Sequence, residues 1–187
     1  MSIKKAPITW IILIVSVFIY LAARINGPES VRFLALIYEE LPQRWYTLIS
    51  YGFVHIELYH ILLNMAVLFF VGSWVEKLAG KKRYLILIFL SILAGGAALA
   101  FRETGGIGFS AAGFGILFFY YLAFPWEREL PFQLPNIVLP LTLLVISILA
   151  IMLGWLPAVG HYPHLAGAVV GSILVPIFKK TGNFSSV

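Results

Sequence analysis

The chain has 187 residues, of which 61% are hydrophobic and only 11% are charged, and its mean hydropathy is +0.96. A soluble globular domain carries about 25% charged residues because it faces water on all sides, so this composition excludes a soluble body. There is no cysteine and no aspartate, which excludes disulfides, cysteine nucleophiles, paired-aspartate proteolysis and a Ser–His–Asp triad. The net charge of +5 reflects the positive-inside bias of membrane proteins, and we expect no nucleic-acid partner.

Six apolar stretches approach the length of about 20 residues that a membrane-spanning helix needs. They run from about Pro7 to Ala23, Leu58 to Val75, Tyr84 to Phe101, Ser110 to Phe124, Asn136 to Trp155 and Pro163 to Phe178. We expect the first to be a retained anchor and not a cleaved signal peptide, because its apolar run is long and its cleavage pattern weak. The sequence therefore predicts an all-α, polytopic membrane protein, a single domain over residues 1–187 with six transmembrane helices.

A long segment, residues 24–57, separates the first two predicted spans. Its apolar run from Val31 to Tyr38 is too short to cross a bilayer, so we predict an interfacial or re-entrant element there. The later connections are a basic turn at 77–83, a glycine-rich loop at 102–108 and a proline-bounded loop at 125–135.

The basic residues predict the orientation. If the amino terminus is cytoplasmic and six crossings alternate, nine of the thirteen basic residues lie inside. These nine are Lys4, Lys5, Lys77, Lys81, Lys82, Arg83, Arg128, Lys179 and Lys180. The bias predicts a multi-pass protein of the cell membrane with both termini cytoplasmic and segment 24–57 outside.

Four polar side chains lie within the predicted spans, where polar groups are costly and usually face the bundle interior. They are His60, Asn64, Ser110 and His164. In the predicted topology the second, fourth and sixth spans all run inwards from the outer side, and these residues lie near their beginnings. We therefore expect all four at one depth, just below the extracytoplasmic surface.

Each of these residues has a structural and a functional interpretation. His60 and Asn64 are four apart and share a helix face, so they form either an interhelical hydrogen-bonding pair or a site. Ser110 is either a helix cap or a nucleophile at a glycine-hinged loop-to-helix junction, where backbone N–H groups stabilise an oxyanion.

Small residues lie beside both members of the Ser110–His164 pair. Ala111 and Gly115 form a small-residue strip on the fourth predicted span, and Gly167 and Gly171 form one on the sixth. Such strips let two membrane helices approach closely. Facing strips would bring Ser110 and His164 within hydrogen-bond reach, as a dyad in which histidine acts as the base.

Three motifs occur in this order along the chain: Phe53-Val54-His55 with His60 to Asn64, Gly108-Phe109-Ser110-Ala111, and His164-Leu165-Ala166-Gly167. Together they resemble the rhomboid family of intramembrane serine proteases. The resemblance covers about residues 45–176, the expected catalytic core, and includes the order of the elements.

The resemblance implies a function and roles for residues. Ser110 would be the nucleophile, His164 the general base, and His60 with Asn64 the oxyanion support. The substrates would be single transmembrane helices of membrane proteins, cut near their outer ends, with the fifth span as the gate. No cofactor is implied.

This chain departs from the family pattern at four positions. Ala111 replaces the usual glycine after the serine, Thr47 stands where many members have arginine, and Phe114 stands where some have tyrosine. Pro163 precedes the histidine in place of a small residue. None of these changes removes a catalytic atom.

Three other interpretations remain. A metal or haem site would use His55, His60, His161 and His164, but would leave Asn64 and Ser110 unexplained. A catalytically inactive relative would bind transmembrane helices without cutting them. A transporter has little support, because the chain shows no inverted repeat and no charged residue at mid-membrane.

Overall fold

The computed structural model describes residues 6–155 and 159–181, which form helices and no β-strand. Lys4 and Lys5, which contribute to the predicted orientation, lie outside the described residues. The α-helices are α1 (Pro7–Asn26), α2 (Thr47–Ser50), α3 (Leu58–Ala79), α4 (Lys81–Phe101), α5 (Ser110–Ala123), α6 (Val138–Leu153) and α7 (His161–Thr181). Each of the six apolar stretches thus forms a helix. Three short 3₁₀ turns lie on either side of α2, and a fourth, Pro131–Gln133, lies between α5 and α6.

Four helices are long and apolar enough to cross a membrane: α1, α3, α4 and α7. The other two apolar helices, α5 and α6, have 14 and 16 residues, just under the usual minimum of about 17. The boundary of α7 differs from the expected one, because the helix begins at His161 and not at Pro163. Pro163 fits within the first turn, where a missing backbone N–H costs nothing.

The centre of the bundle is α5, which packs between α4 and α7. A Cβ added to Gly95 of α4 would lie 2.6 Å from the Cβ of Ala111, and one added to Gly115 would collide with the Ser91 hydroxyl. Residue numbers fall along α4 as they rise along α5, so the two helices are antiparallel. Their close approach fixes the position of Ser110 along the bundle axis relative to the end of α4.

The long first loop is built from short 3₁₀ turns and not from one element. The turns are Pro28–Leu34, Tyr38–Glu40 and Tyr51–Phe53. Between the first two, Leu36 pairs with Gly106 through two backbone hydrogen bonds, of 3.2 and 2.9 Å. The run from Val31 to Tyr38 thus includes parts of two 3₁₀ turns, and its backbone is joined at Leu36 to the glycine-rich loop that leads to Ser110. Its interfacial or re-entrant placement stays a prediction.

An ion-pair network holds the outer part of this loop. The Glu40 carboxylate forms ion pairs with the guanidinium groups of Arg32 and Arg44, each with an N–O distance of 2.7 Å. The buried Thr47 donates its hydroxyl hydrogen to the Arg44 carbonyl at 2.6 Å. The loop is therefore anchored through Arg44, three residues before the position where many rhomboids have arginine.

Glu76 caps the start of α1 from the far end of α3. Its carboxylate is buried and accepts the N–H groups of Ile8 (2.9 Å) and Thr9 (2.8 Å). These N–H groups have no acceptor within α1 because they belong to its first turn, and a negative charge there also complements the helix dipole. Beside it, the Thr9 hydroxyl donates to the Tyr84 hydroxyl at 3.2 Å.

We predict that Glu76→Gln destabilises the fold by about 1.5–3 kcal/mol, because it replaces a charged acceptor of two buried N–H groups by a neutral amide. The measurement is the unfolding midpoint of the purified protein in detergent or bicelles. Glu103→Gln is the matched control, since Glu103 is exposed. Equal stability of the two variants would contradict the capping role.

Candidate active site

A cavity of about 830 Å³ lies at the end of the bundle where α3, α5 and α7 begin. All four polar residues singled out in the sequence line it: His60, Asn64, Ser110 and His164. Residues of α6 and of the glycine-rich loop line its other sides, among them Leu143, Ile151 and Gly106. The fold therefore gathers into one chamber four polar groups from three separate helices.

The two small-residue strips are in direct contact. A Cβ on Gly167 would collide with the carbonyl oxygen of Ala111, and one on Gly171 would collide with that of Gly115. The residue numbers rise together on both helices, so α5 and α7 are parallel. Backbone touches backbone at both positions, and this contact sets Ser110 against the first turns of α7.

His164 is oriented by an aromatic ring and not by a carboxylate. Its ring stacks on Phe114 with centroids 4.2 Å apart and planes 12° apart. Within the described residues, no side-chain hydrogen bond holds the His164 ring, and none joins it to Ser110. In unliganded enzymes such catalytic hydrogen bonds are often long and tighten only when substrate is bound.

Ser110 begins α5, so its N–H and those of the next two residues have no acceptor within the helix. Gly108, two residues earlier, has φ of +112° and packs directly on His60. A Cβ at Gly108 would lie 2.5 Å from Cε1 and Nε2 of the His60 ring. The glycine is thus required twice, for its backbone angle and for the approach of His60 to the start of α5.

His55 connects the two halves of this arrangement. Its Nε2 accepts the Phe109 N–H at 3.3 Å and lies 3.2 Å from the Asn64 amide nitrogen. Its ring also packs edge-on against His60, with centroids 4.9 Å apart. Burial, together with the neighbouring His60, lowers the pKa of His55 to about 4, which keeps the ring neutral and Nε2 able to accept.

Both amide hydrogens of Asn64 are engaged in this arrangement. One points to His55 Nε2 at 3.2 Å, and the other is donated to the His60 carbonyl at 3.1 Å. Because Nε2 has a single lone pair and also accepts from Phe109, the bond from Asn64 is a shared one. Asn64 can therefore exchange it for a stronger acceptor, such as an oxyanion, at small cost.

A family model described as Rhomboid domain matches residues 42–181. The chain belongs to the rhomboid family. It is similar to proteins named Rhomboid protease GlpG from Salmonella choleraesuis (strain SC-B67), at 28% identity over 177 residues, and from Salmonella newport (strain SL254), at 27% over 177 residues. In each case the match covers 90% of this chain and 62% of the relative, so the chain spans about three fifths of the length of these proteins.

Membership of the rhomboid family, with four spanning-length helices, makes this chain a membrane protein. Two of its departures from the family pattern have simple structural reasons. The methyl group of Ala111 fits because it faces Gly95, which has no side chain. Phe114 stacks on His164 with its ring face, a contact that needs no hydroxyl group.

Sequence reasoning included His55 in a family motif without a role of its own, and otherwise considered His55 and His161 as metal ligands. Among the residues that the structure describes, no three His or Glu side chains are arranged as a ligand set. His55 instead contacts His60, Asn64 and the segment before Ser110, and His161 lines the same cavity one turn before His164. The three-residue spacing of His161 and His164 was a visible signal, whereas the contact from His55 to Phe109 spans 54 positions.

We predict that Gly167→Ala destabilises the protein and lowers the yield of folded material, because its methyl group would force α5 and α7 apart. The measurement is thermal unfolding in detergent, with Gly113→Ala as control. A Cβ on Gly113 meets nothing closer than 3.8 Å, so that variant should be neutral or up to about 1 kcal/mol more stable from helix propensity. Equal unfolding temperatures of the two variants would contradict the backbone contact of α5 with α7 at Gly167.

Proposed function

We propose that this rhomboid is an intramembrane serine endopeptidase that cuts transmembrane helices with a Ser110–His164 dyad. The observation that carries the proposal is the placement of both side chains on one cavity by two parallel helices in backbone contact. The relatives named as proteases support it. Since the chain spans only 62% of their length, the activity is a proposal about this chain.

The chemistry follows ordinary acyl transfer. Ser110 Oγ attacks the peptide carbonyl carbon while His164 takes the hydroxyl proton, and His164 then gives that proton to the leaving amine. Water hydrolyses the resulting ester by the same steps in reverse. With no aspartate in the chain, the Phe114 stack performs the orienting role that a carboxylate has in a triad.

The oxyanion is stabilised at the start of α5. Its donors are the unsatisfied N–H groups of the first turn, the His60 ring, and the Asn64 amide after it releases His55 Nε2. Such donors act most strongly in a cavity from which water is excluded. His55 is a positioning residue, because it touches both Asn64 and the Phe109 N–H.

The substrate approaches from the bilayer between α3 and α6. Leu63 and Val67 on α3 and Leu143 on α6 line the cavity on this side, and of the residues in α6 only Pro140, Ser147 and Ala150 are buried. A helix with so little buried surface separates from its neighbours easily. This geometry supports α6 as the gate and a transmembrane helix as the substrate.

The proposed topology has six crossings, with both termini in the cytoplasm. Glu76 places the start of α1 beside the end of α3, so these helices run in opposite directions, as alternating crossings require. The short helix α5 then starts within the outer half of the bilayer and not at its surface. In this proposed topology Ser110 lies on the extracytoplasmic side, and the chain is anchored in the cell membrane through a core of about residues 45–176.

We predict that Ser110→Ala and His164→Ala each lower cleavage of a transmembrane test substrate in liposomes by at least about 10³-fold, as loss of a nucleophile or base does in serine proteases. The measurement is product formation on gels and by mass spectrometry. Ser172→Ala is the control, since its hydroxyl bonds only within α7, to the Ala168 carbonyl.

A fluorophosphonate should label wild type at Ser110 and leave Ser110→Ala unlabelled. If wild type binds the substrate helix and cuts nothing, the chain is an inactive relative that retains helix binding. If Ser110→Ala cuts as fast as wild type, the proposed nucleophile is wrong.

For His60→Ala and Asn64→Ala we predict a fall in kcat of about 10²–10³-fold with KM little changed, because an oxyanion donor acts in the transition state. The measurement is the separate determination of kcat and KM in detergent. Asn26→Ala is the control for asparagine removal, since Asn26 is exposed and bonds only within α1. An unchanged rate in the doubly substituted protein would refute the oxyanion role.

A further inference from the structure

His161, the first residue of α7, is a buried histidine that the dyad does not use. The residue is only 7% exposed. Both ring nitrogens, Nδ1 and Nε2, are buried without a hydrogen-bond partner among the described residues. A buried polar atom left unpaired costs about 1–3 kcal/mol. Neither ring nitrogen is satisfied by the residues that the structure describes, so both remain able to bind a partner in the cavity.

The position of His161 shows which partner it faces. It lines the cavity that holds Ser110 and His164, and it precedes His164 by three residues on the same helix face. The two rings are edge-on, with centroids 6.1 Å apart and planes 83° apart. They form no direct hydrogen bond, so a polar link between the two rings runs through a bridging molecule such as water.

These contacts do not allow His161 to orient His164 as the carboxylate of a catalytic triad would. It makes no hydrogen bond to His164, so it does not fix that ring as a third triad member does. No carboxylate in the described part of the chain pairs with it, and the nearby Arg102 guanidinium lies over Tyr162, 4.8 Å from the ring centroid. What remains available to His161 is a small polar molecule between itself and His164.

We propose that His161 is a water-positioning residue for the second half of the reaction, an inference that rests on the function proposed above. A ring nitrogen of His161 accepts a hydrogen bond from the water that hydrolyses the acyl-enzyme, and His164 accepts the other hydrogen of that water. Two acceptors separated in this way hold the water oxygen beside Ser110.

The step balances without a further reactant. The water oxygen forms a bond to the ester carbonyl carbon while one of its protons moves to His164. The bond from that carbon to Ser110 Oγ then breaks, and Oγ takes the proton from His164. The second hydrogen stays on the product acid throughout, so His161 binds but transfers no proton. Acylation consumes no water, and only deacylation depends on His161.

The experiment measures the two half-reactions separately. A p-nitrophenyl ester acylates the purified full-length protein, p-nitrophenol release reports acylation, and loss of acyl mass after removal of excess ester reports deacylation. We expect His161→Leu to slow deacylation about tenfold, the effect of losing one hydrogen bond of about 1.4 kcal/mol, with acylation unchanged within about twofold. His161→Asn, which keeps a hydrogen-bond acceptor, should stay within about threefold of wild type in both steps.

Three results would overturn the proposal. One is deacylation by His161→Leu at the wild-type rate. Another is a pattern that a purely structural effect on α7 produces: either His161→Leu slows acylation as much as deacylation, or His161→Leu and His161→Asn slow deacylation equally. The third is failure of wild type to become acylated at Ser110, which would overturn the proposed protease function as well. The ester result thus separates failure of the water role from failure of the dyad.

Discussion

The contact between α5 and α7 is the constraint on which the candidate site depends. At Gly167 and Gly171 the two backbones meet with no side chain between them, so the helices have one register and little freedom to slide. In a bilayer such close packing replaces the hydrophobic effect as the source of association. The placement of Ser110, of His164 and of the Phe114 stack all follows from this register.

The sequence was sufficient for the elements whose signal is local. Runs of apolar residues predicted the six apolar helices, and the small residues beside Ser110 and His164 predicted that α5 and α7 pack closely. Boundaries were less accurate, because polar residues that carry no apolar signal continue the helices: α3 extends to Ala79 and not Val75, and α7 begins at His161 and not Pro163. The family motifs led to residues that the fold gathers around one cavity.

The sequence was insufficient where a contact joins distant segments. Nothing near Glu76 indicates that it caps a helix 67 residues away, and nothing near His55 indicates that it accepts from Phe109. The apolar run of the first loop likewise gives no sign that Leu36 pairs with Gly106. Such contacts depend on the assembled bundle, which local patterns do not encode.

The pairing of Leu36 with Gly106 has an evolutionary consequence. Both of its hydrogen bonds use backbone groups, which every residue except proline possesses. Exposed side chains of this loop take no part in the pairing, so they can change under selection while the backbone geometry ahead of Ser110 is preserved. A lineage could remodel the exposed surface of this loop without rebuilding the chamber beside it.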